Sequence, residues 1–65
     1  MSRPDWQQRV VDERDQLDER LERLARFIAS PKFYELDLYG QHLMHAQHHA
    51  MTLYQAALDH RIARF

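Results

Sequence analysis

Ser30-Pro31-Lys32-Phe33-Tyr34-Glu35-Leu36-Asp37 divides the chain into two long segments with helical periodicity. Pro31 disfavours helical geometry at Ser30 and donates no backbone hydrogen bond, so the first helix ends here. Ser30 can cap a new short turn with Pro31 in its first position. Lys32 to Leu36 then reads as one helical turn, with Phe33, Tyr34 and Leu36 as an apolar knot over the end of a hairpin. Asp37 is the expected cap of the second long helix. A connection this short makes the two helices antiparallel.

Upstream, Trp6, Val10, Leu17, Leu21, Leu24 and Ile28 recur at spacings of three, four and seven. They make one apolar stripe on a helix expected from about Arg3 to about Ala29. Ser2 is its expected N-cap, with Pro4 in the first turn and Asp5 at the positive end of the helix dipole. The stripe breaks at Glu13 and Arg14. The other face pairs Arg9 with Glu13, Arg14 with Asp18, Glu19 with Arg23, and Glu22 with Arg26, all four residues apart. It reads as a solvated face, with a docking surface for a protein as the sharper alternative.

Downstream, the second helix is expected over about 38–64. Its stripe runs through Leu43 or Met44, then Met51, Tyr54, Leu58, Ile62 and Phe65, interrupted at Gln47. Gly40 is expected to fray its start, because glycine costs about 1 kcal/mol in a helix relative to alanine. Trp6 should meet Ile62 and Phe65, and Ile28 the start of the second helix. Trp6, Phe33, Tyr34, Tyr54 and Phe65 are expected in the core. Each helix is ~40 Å long at 1.5 Å per residue. Val11, Ala25, Phe27, Tyr39, Leu53 and Ala57 lie off the main stripes and widen the apolar surface. An all-α antiparallel hairpin that dimerises into a four-helix bundle is the expected architecture, with residues 1–65 as a single domain.

Composition sets the remaining bounds. A chain of 65 residues buries only about 60% of the surface its unfolded form exposes, and domains of this size usually need a staple. With no cysteine, disulfides and thiolate metal sites are excluded, which leaves self-association or a histidine site. Nine basic and ten acidic residues give a net charge of −1. That balance lacks the cationic excess of a nucleic-acid-binding surface. No apolar run reaches the ~20 residues of a membrane span. Met1-Ser2-Arg3-Pro4 leads straight into charged sequence rather than a signal peptide, so a soluble cytosolic protein is expected.

The second helix also carries His42, His45 and His49 at spacings of three and four, in line with Leu38, Thr52 and Ala56. His45 and His49 suit two positions on one divalent transition metal, with Cu, Ni or Zn preferred over Ca or Mg. No His-Glu-x-x-His or Glu-x-x-His element accompanies them. The broader reading makes His42, His45 and His49 a partner or oligomer surface. Imidazoles change charge in the mildly acidic range, so association through them would be pH-sensitive. Tyr34 and Tyr39, with Lys32 and the free amides of the helix start, form a second candidate surface for a ligand or partner. No nucleophile motif or glycine-rich phosphate loop is present, and the carboxylates sit on the charged face. A non-enzymatic protein without an obligatory cofactor is expected.

Trp6-Gln7-Gln8-Arg9-Val10 with Asp12-Glu13 and Leu17, followed by Leu21, Leu24, Phe27, Ile28, Phe33 and Leu36, resembles the opening of a family of very small phage and prophage proteins. These are known by their relation to a protein of a crAss-like phage. Leu43, Gln47, Met51, Tyr54, Leu58 and Arg61-Ile62 continue the resemblance over most of the chain, while His42, His45, His48 and His49 lie outside it. The resemblance implies a helical hairpin of phage origin that binds and inhibits a host protein, such as a CRISPR-type or other antiviral component. The alternatives are a bundle that sequesters a signalling nucleotide or binds a metal, and a phage structural or assembly factor.

Overall fold

The computed structural model describes residues 3–65. It is an antiparallel hairpin of two helices, α1 over Asp5–Ile28 and α2 over Leu38–Ala63, joined by a 3-10 turn over Pro31–Glu35. The hairpin is a rod of 49 × 15 × 13 Å. Ser2 lies outside the described residues. The N-cap position of α1 is Pro4, with no side-chain cap bond, so Pro4 precedes the helix rather than sitting inside its first turn.

The connection works as its residue types require. Ser30 Oγ donates to Phe27 O at 2.7 Å and so closes α1 instead of capping the 3-10 turn. Asp37 caps α2 by accepting from Gly40 N–H at 2.8 Å. Gln41 Nε2 donates to Leu36 O at 2.9 Å and ties the connection to the new helix. Gly40 therefore does not fray the start of α2. A Cβ at Gly40 would stand 2.8 Å from Asp37 Oδ1, so the missing side chain makes room for the cap. Asp37→Ala is expected to lower stability by about 1 kcal/mol, read as a fall in the urea midpoint at unchanged slope.

Val10 and Leu17 of α1 and Leu58 of α2 form the buried core, with Met51 and Ile62 packed against it. Met44, rather than Leu43, takes the inward position: Met44 is half-buried and Leu43 exposed. Among the described residues, Phe33 is the other buried side chain, at the connector end. Of the five aromatics expected inside, Trp6, Tyr34, Tyr54 and Phe65 are exposed. Two helices make a single contact line, so rings beside that line stay in solvent. Trp6 still meets Phe65 edge-to-face at 5.2 Å and closes the open end of the hairpin.

The break in the α1 stripe has a use. Arg14 Nε donates to Asp59 Oδ1 at 2.7 Å across the hairpin, and Gln55 Nε2 donates to Asp18 Oδ1 at 2.6 Å beside it. The hydrogen bond and charge of Asp59 push the Arg14 guanidinium pKa up. These two exposed cross-links match the register that the core packing sets. None of the four expected pairs along α1 closes to an ion pair among the described residues; Arg14 turns to Asp59 and Asp15 instead. Long exposed side chains lose rotamer freedom on pairing and gain little attraction in water.

The two helices differ sharply in charge. Half of α1 is Asp, Glu or Arg. From Leu38 to Leu58, α2 has none of these and no lysine. No helix among the described residues is long and apolar enough to cross a membrane.

Candidate binding surface

Phe33 organises the connector end. Its ring contacts Phe27 at 6.5 Å, Tyr34 at 5.3 Å and His45 at 5.2 Å, all edge-to-face. The 3-10 turn places Phe33 over the helix ends, and the three neighbours come from α1, the turn and α2. Two of the residues singled out in the sequence, Tyr34 and His45, are thus brought together by one buried ring. Tyr34 nonetheless keeps most of its surface in solvent.

Tyr39 and Leu38 stand on the first turn of α2 at 69% and 82% exposure. His42 and His49 are exposed further along the helix. His48 faces the seam between the helices and is half-buried, and its carbonyl accepts from Thr52 Oγ1 at 2.9 Å. The connector end therefore presents a solvent-facing group in which Tyr34, Tyr39 and His42 are rings with polar tips and Leu38 is purely apolar. Such side chains suit stacking and hydrogen bonding at a binding surface.

Among the described residues, no three His, Asp or Glu side chains converge as a metal would require. His45 is occupied with Phe33. A metal on His45 and His49 would need its remaining ligands from another molecule. Chelation of the purified protein is expected to leave its melting temperature unchanged, and a fall of more than about 5 °C would restore the metal reading.

A hollow of about 390 Å³ is lined by Asp5, Gln8 and Arg9 on the first turns of α1. It is wide open and lies at the opposite end of the rod from the tyrosines. Its carboxylate, amide and guanidinium are solvated groups, with no unsatisfied buried side-chain atom among the described residues. Nothing in it resembles a general acid, a general base or an activated nucleophile.

Sequence reasoning missed two features here. The contacts Arg14–Asp59 and Asp18–Gln55 appear only once the helices are set antiparallel in register. The second feature is the joining of Tyr39, Leu53 and Ala57, already expected to widen the apolar surface, with Leu43, Ala46 and Ala50 into one outward row on α2, Tyr39-Leu43-Ala46-Ala50-Leu53-Ala57, in which every residue is exposed. Its signal was available: spacings of four, three, four, three and four within an uncharged segment.

A family model described as Sequestin matches residues 4–64. The chain is also similar to an "Uncharacterized 7.5 kDa protein in denB-rIIB intergenic region" of Enterobacteria phage T4. The two are 37% identical over 60 residues, which cover 92% of this chain and 94% of the phage protein. No solved structure matches. These similarities accord with the phage side of the resemblance read from the sequence, and neither involves a crAss-like phage.

Proposed function

The chain belongs to the Sequestin family, and from that membership we propose that it is a phage-encoded, non-catalytic protein that holds a host defence molecule out of circulation. It acts in the cytoplasm of the infected bacterium as a self-associating hairpin. The observation that carries this reading is the exposed group Tyr34, Leu38, Tyr39 and His42 at the connector end. The family's name speaks of sequestration, which needs affinity and no chemistry. Exposed tyrosines offer faces for stacking a base, and imidazole and Lys32 offer hydrogen bonds and charge to an anion. A small signalling nucleotide is therefore the target class we favour.

A second reading, capture of a host protein such as a CRISPR-type component, is favoured by a different observation. Leu38, Tyr39, Leu43, Leu53 and Tyr54 give α2 more exposed apolar surface than a small molecule needs. Aromatic anchors of this kind also carry protein interfaces.

The test is to purify the protein from cells with an active defence response, denature it, and weigh what is released. An intact nucleotide supports the first reading. A host protein in stoichiometric yield, with no small molecule, moves the function to the second. A chemically altered product formed with turnover would overturn both.

A further inference from the structure

The outward row of α2 has an internal symmetry that the hairpin itself does not use. Tyr39 and Ala57, Leu43 and Leu53, and Ala46 and Ala50 are each placed equally far from position 48. All six are exposed. At 100° per residue, the row lies roughly 125° round α2 from the line through Met44, Met51, Leu58 and Ile62 that faces α1. Packing α1 against α2 therefore leaves the row untouched.

We propose that this row is the interface with a second copy of the chain, with the two α2 helices antiparallel about a two-fold axis at the level of His48. The proposal gives a face and a direction to the self-association in the proposed function.

Three observations support an interface here, and the first of them chooses a second copy over a foreign partner. First, a two-fold interface must be self-complementary, with residue i on j and j on i. The row meets that condition: leucine falls on leucine, alanine on alanine, and bulky Tyr39 on small Ala57. A foreign partner would impose no such palindrome. Second, the cores of interfaces are depleted of charge. Leu38 to Leu58 lacks Asp, Glu, Lys and Arg in a chain that is 29% charged. Third, the area fits. A stable interface takes ~800 Å² from each partner, about 15% of the 5293 Å² this chain exposes. The helix α2 holds 26 of the 65 residues, so its share of that surface leaves room for such a patch. The central alanines let the two backbones approach closely and the leucines fill the wider ends, while Tyr39 lies at the rim, with one ring face over Ala57 of the other copy and the rest of the ring left to the connector-end surface.

The arrangement differs from a bundle in which all four helices share one core. The two α2 helices meet in the middle and each α1 lies outside. The same register carries Arg61 and Arg64 of one copy to the connector end of the other, toward Lys32 and Tyr34. Two more cations beside exposed tyrosines suit an anionic aromatic target.

The chain has no cysteine, so introduced thiols are unique. Tyr39→Cys and Ala57→Cys full-length chains are mixed and oxidised. Disulfides are expected between the two variants and not within either, because like positions at 39 are separated by roughly 27 Å along antiparallel helices. Self-linking of Tyr39→Cys alone would mean a parallel pair and would overturn the proposal. Equilibrium sedimentation should give twice the chain mass for the wild type and the single-chain mass for Ala50→Glu, with helical circular dichroism retained. Ala50 is exposed in the hairpin, so the substitution leaves the core intact. A wild-type monomer, or an Ala50→Glu dimer, would equally overturn it. None of these readouts depends on a captured molecule, so a failed interface and a failed sequestration are told apart.

Discussion

Leu58→Ala is expected to lower stability by about 2–5 kcal/mol, the largest loss of any single truncation in the helix–helix core. Leu58 is 1% exposed and is the one fully buried large side chain among the described residues. It packs with Val10 and Leu17 from α1 and with Met51 and Ile62 from its own helix. The cost combines the lost transfer of a buried side chain with a cavity that two rigid helices cannot close. A chain of 65 residues has a total stability on the order of 3–10 kcal/mol. The substitution therefore removes a large share of it, at about 4–8 °C of melting temperature per kcal/mol. Thermal melts of Leu58→Ala and of the exposed control Glu19→Ala make the comparison. A Leu58→Ala melting point within about 2 °C of the control would show that this residue does not anchor the core.

Phe33→Ala is expected to cost about 3–5 kcal/mol and to abolish target capture with it. Phe33 is 3% exposed, and its ring edges hold Phe27, Tyr34 and His45. Removing it empties the end of the hairpin and releases Tyr34 of the proposed binding surface, and His45 beside it, from their fixed positions. Phe33→Leu separates the two effects. Leucine keeps much of the buried volume and limits the stability loss to about 1.5 kcal/mol, but it offers no ring edge. Capture should weaken more than stability does in Phe33→Leu. The single tryptophan, Trp6, reports folding in both variants. Full capture by a folded Phe33→Leu chain would place the binding surface elsewhere.

The hairpin was legible because its signals are local. Pro31 breaks the helix, Asp37 starts the next, and the stripe from Val10 to Ile28 has one period. The inward choice of Met44 over Leu43 was not legible, because α2 is apolar on more than one side and periodicity alone cannot say which side meets α1. The aromatics misled for the same reason: spacing places a ring on a face, but two helices have only one shared line to bury it. The fate of Arg14 needed the partner helix, since Asp18 is its neighbour in sequence and Asp59 its neighbour in space. At the candidate surface, the residue types of Tyr34, Tyr39 and His42 were readable. The tie from His45 to Tyr34 through Phe33 was not, because it joins residues from separate elements.

The edge contact of Trp6 with Phe65 also bears on time rather than on affinity. Most cross-hairpin contacts can form by zipping outward from the connector, with each step closing a short further loop. Such local topologies fold on microsecond to millisecond scales. The Trp6–Phe65 pair joins the two ends of the chain and forms last on that route. Interactions absent from the folding transition state leave the folding rate alone and set the unfolding rate. The two rings then act as a latch on opening: removing them shortens the lifetime of the closed hairpin while leaving the speed of its formation unchanged.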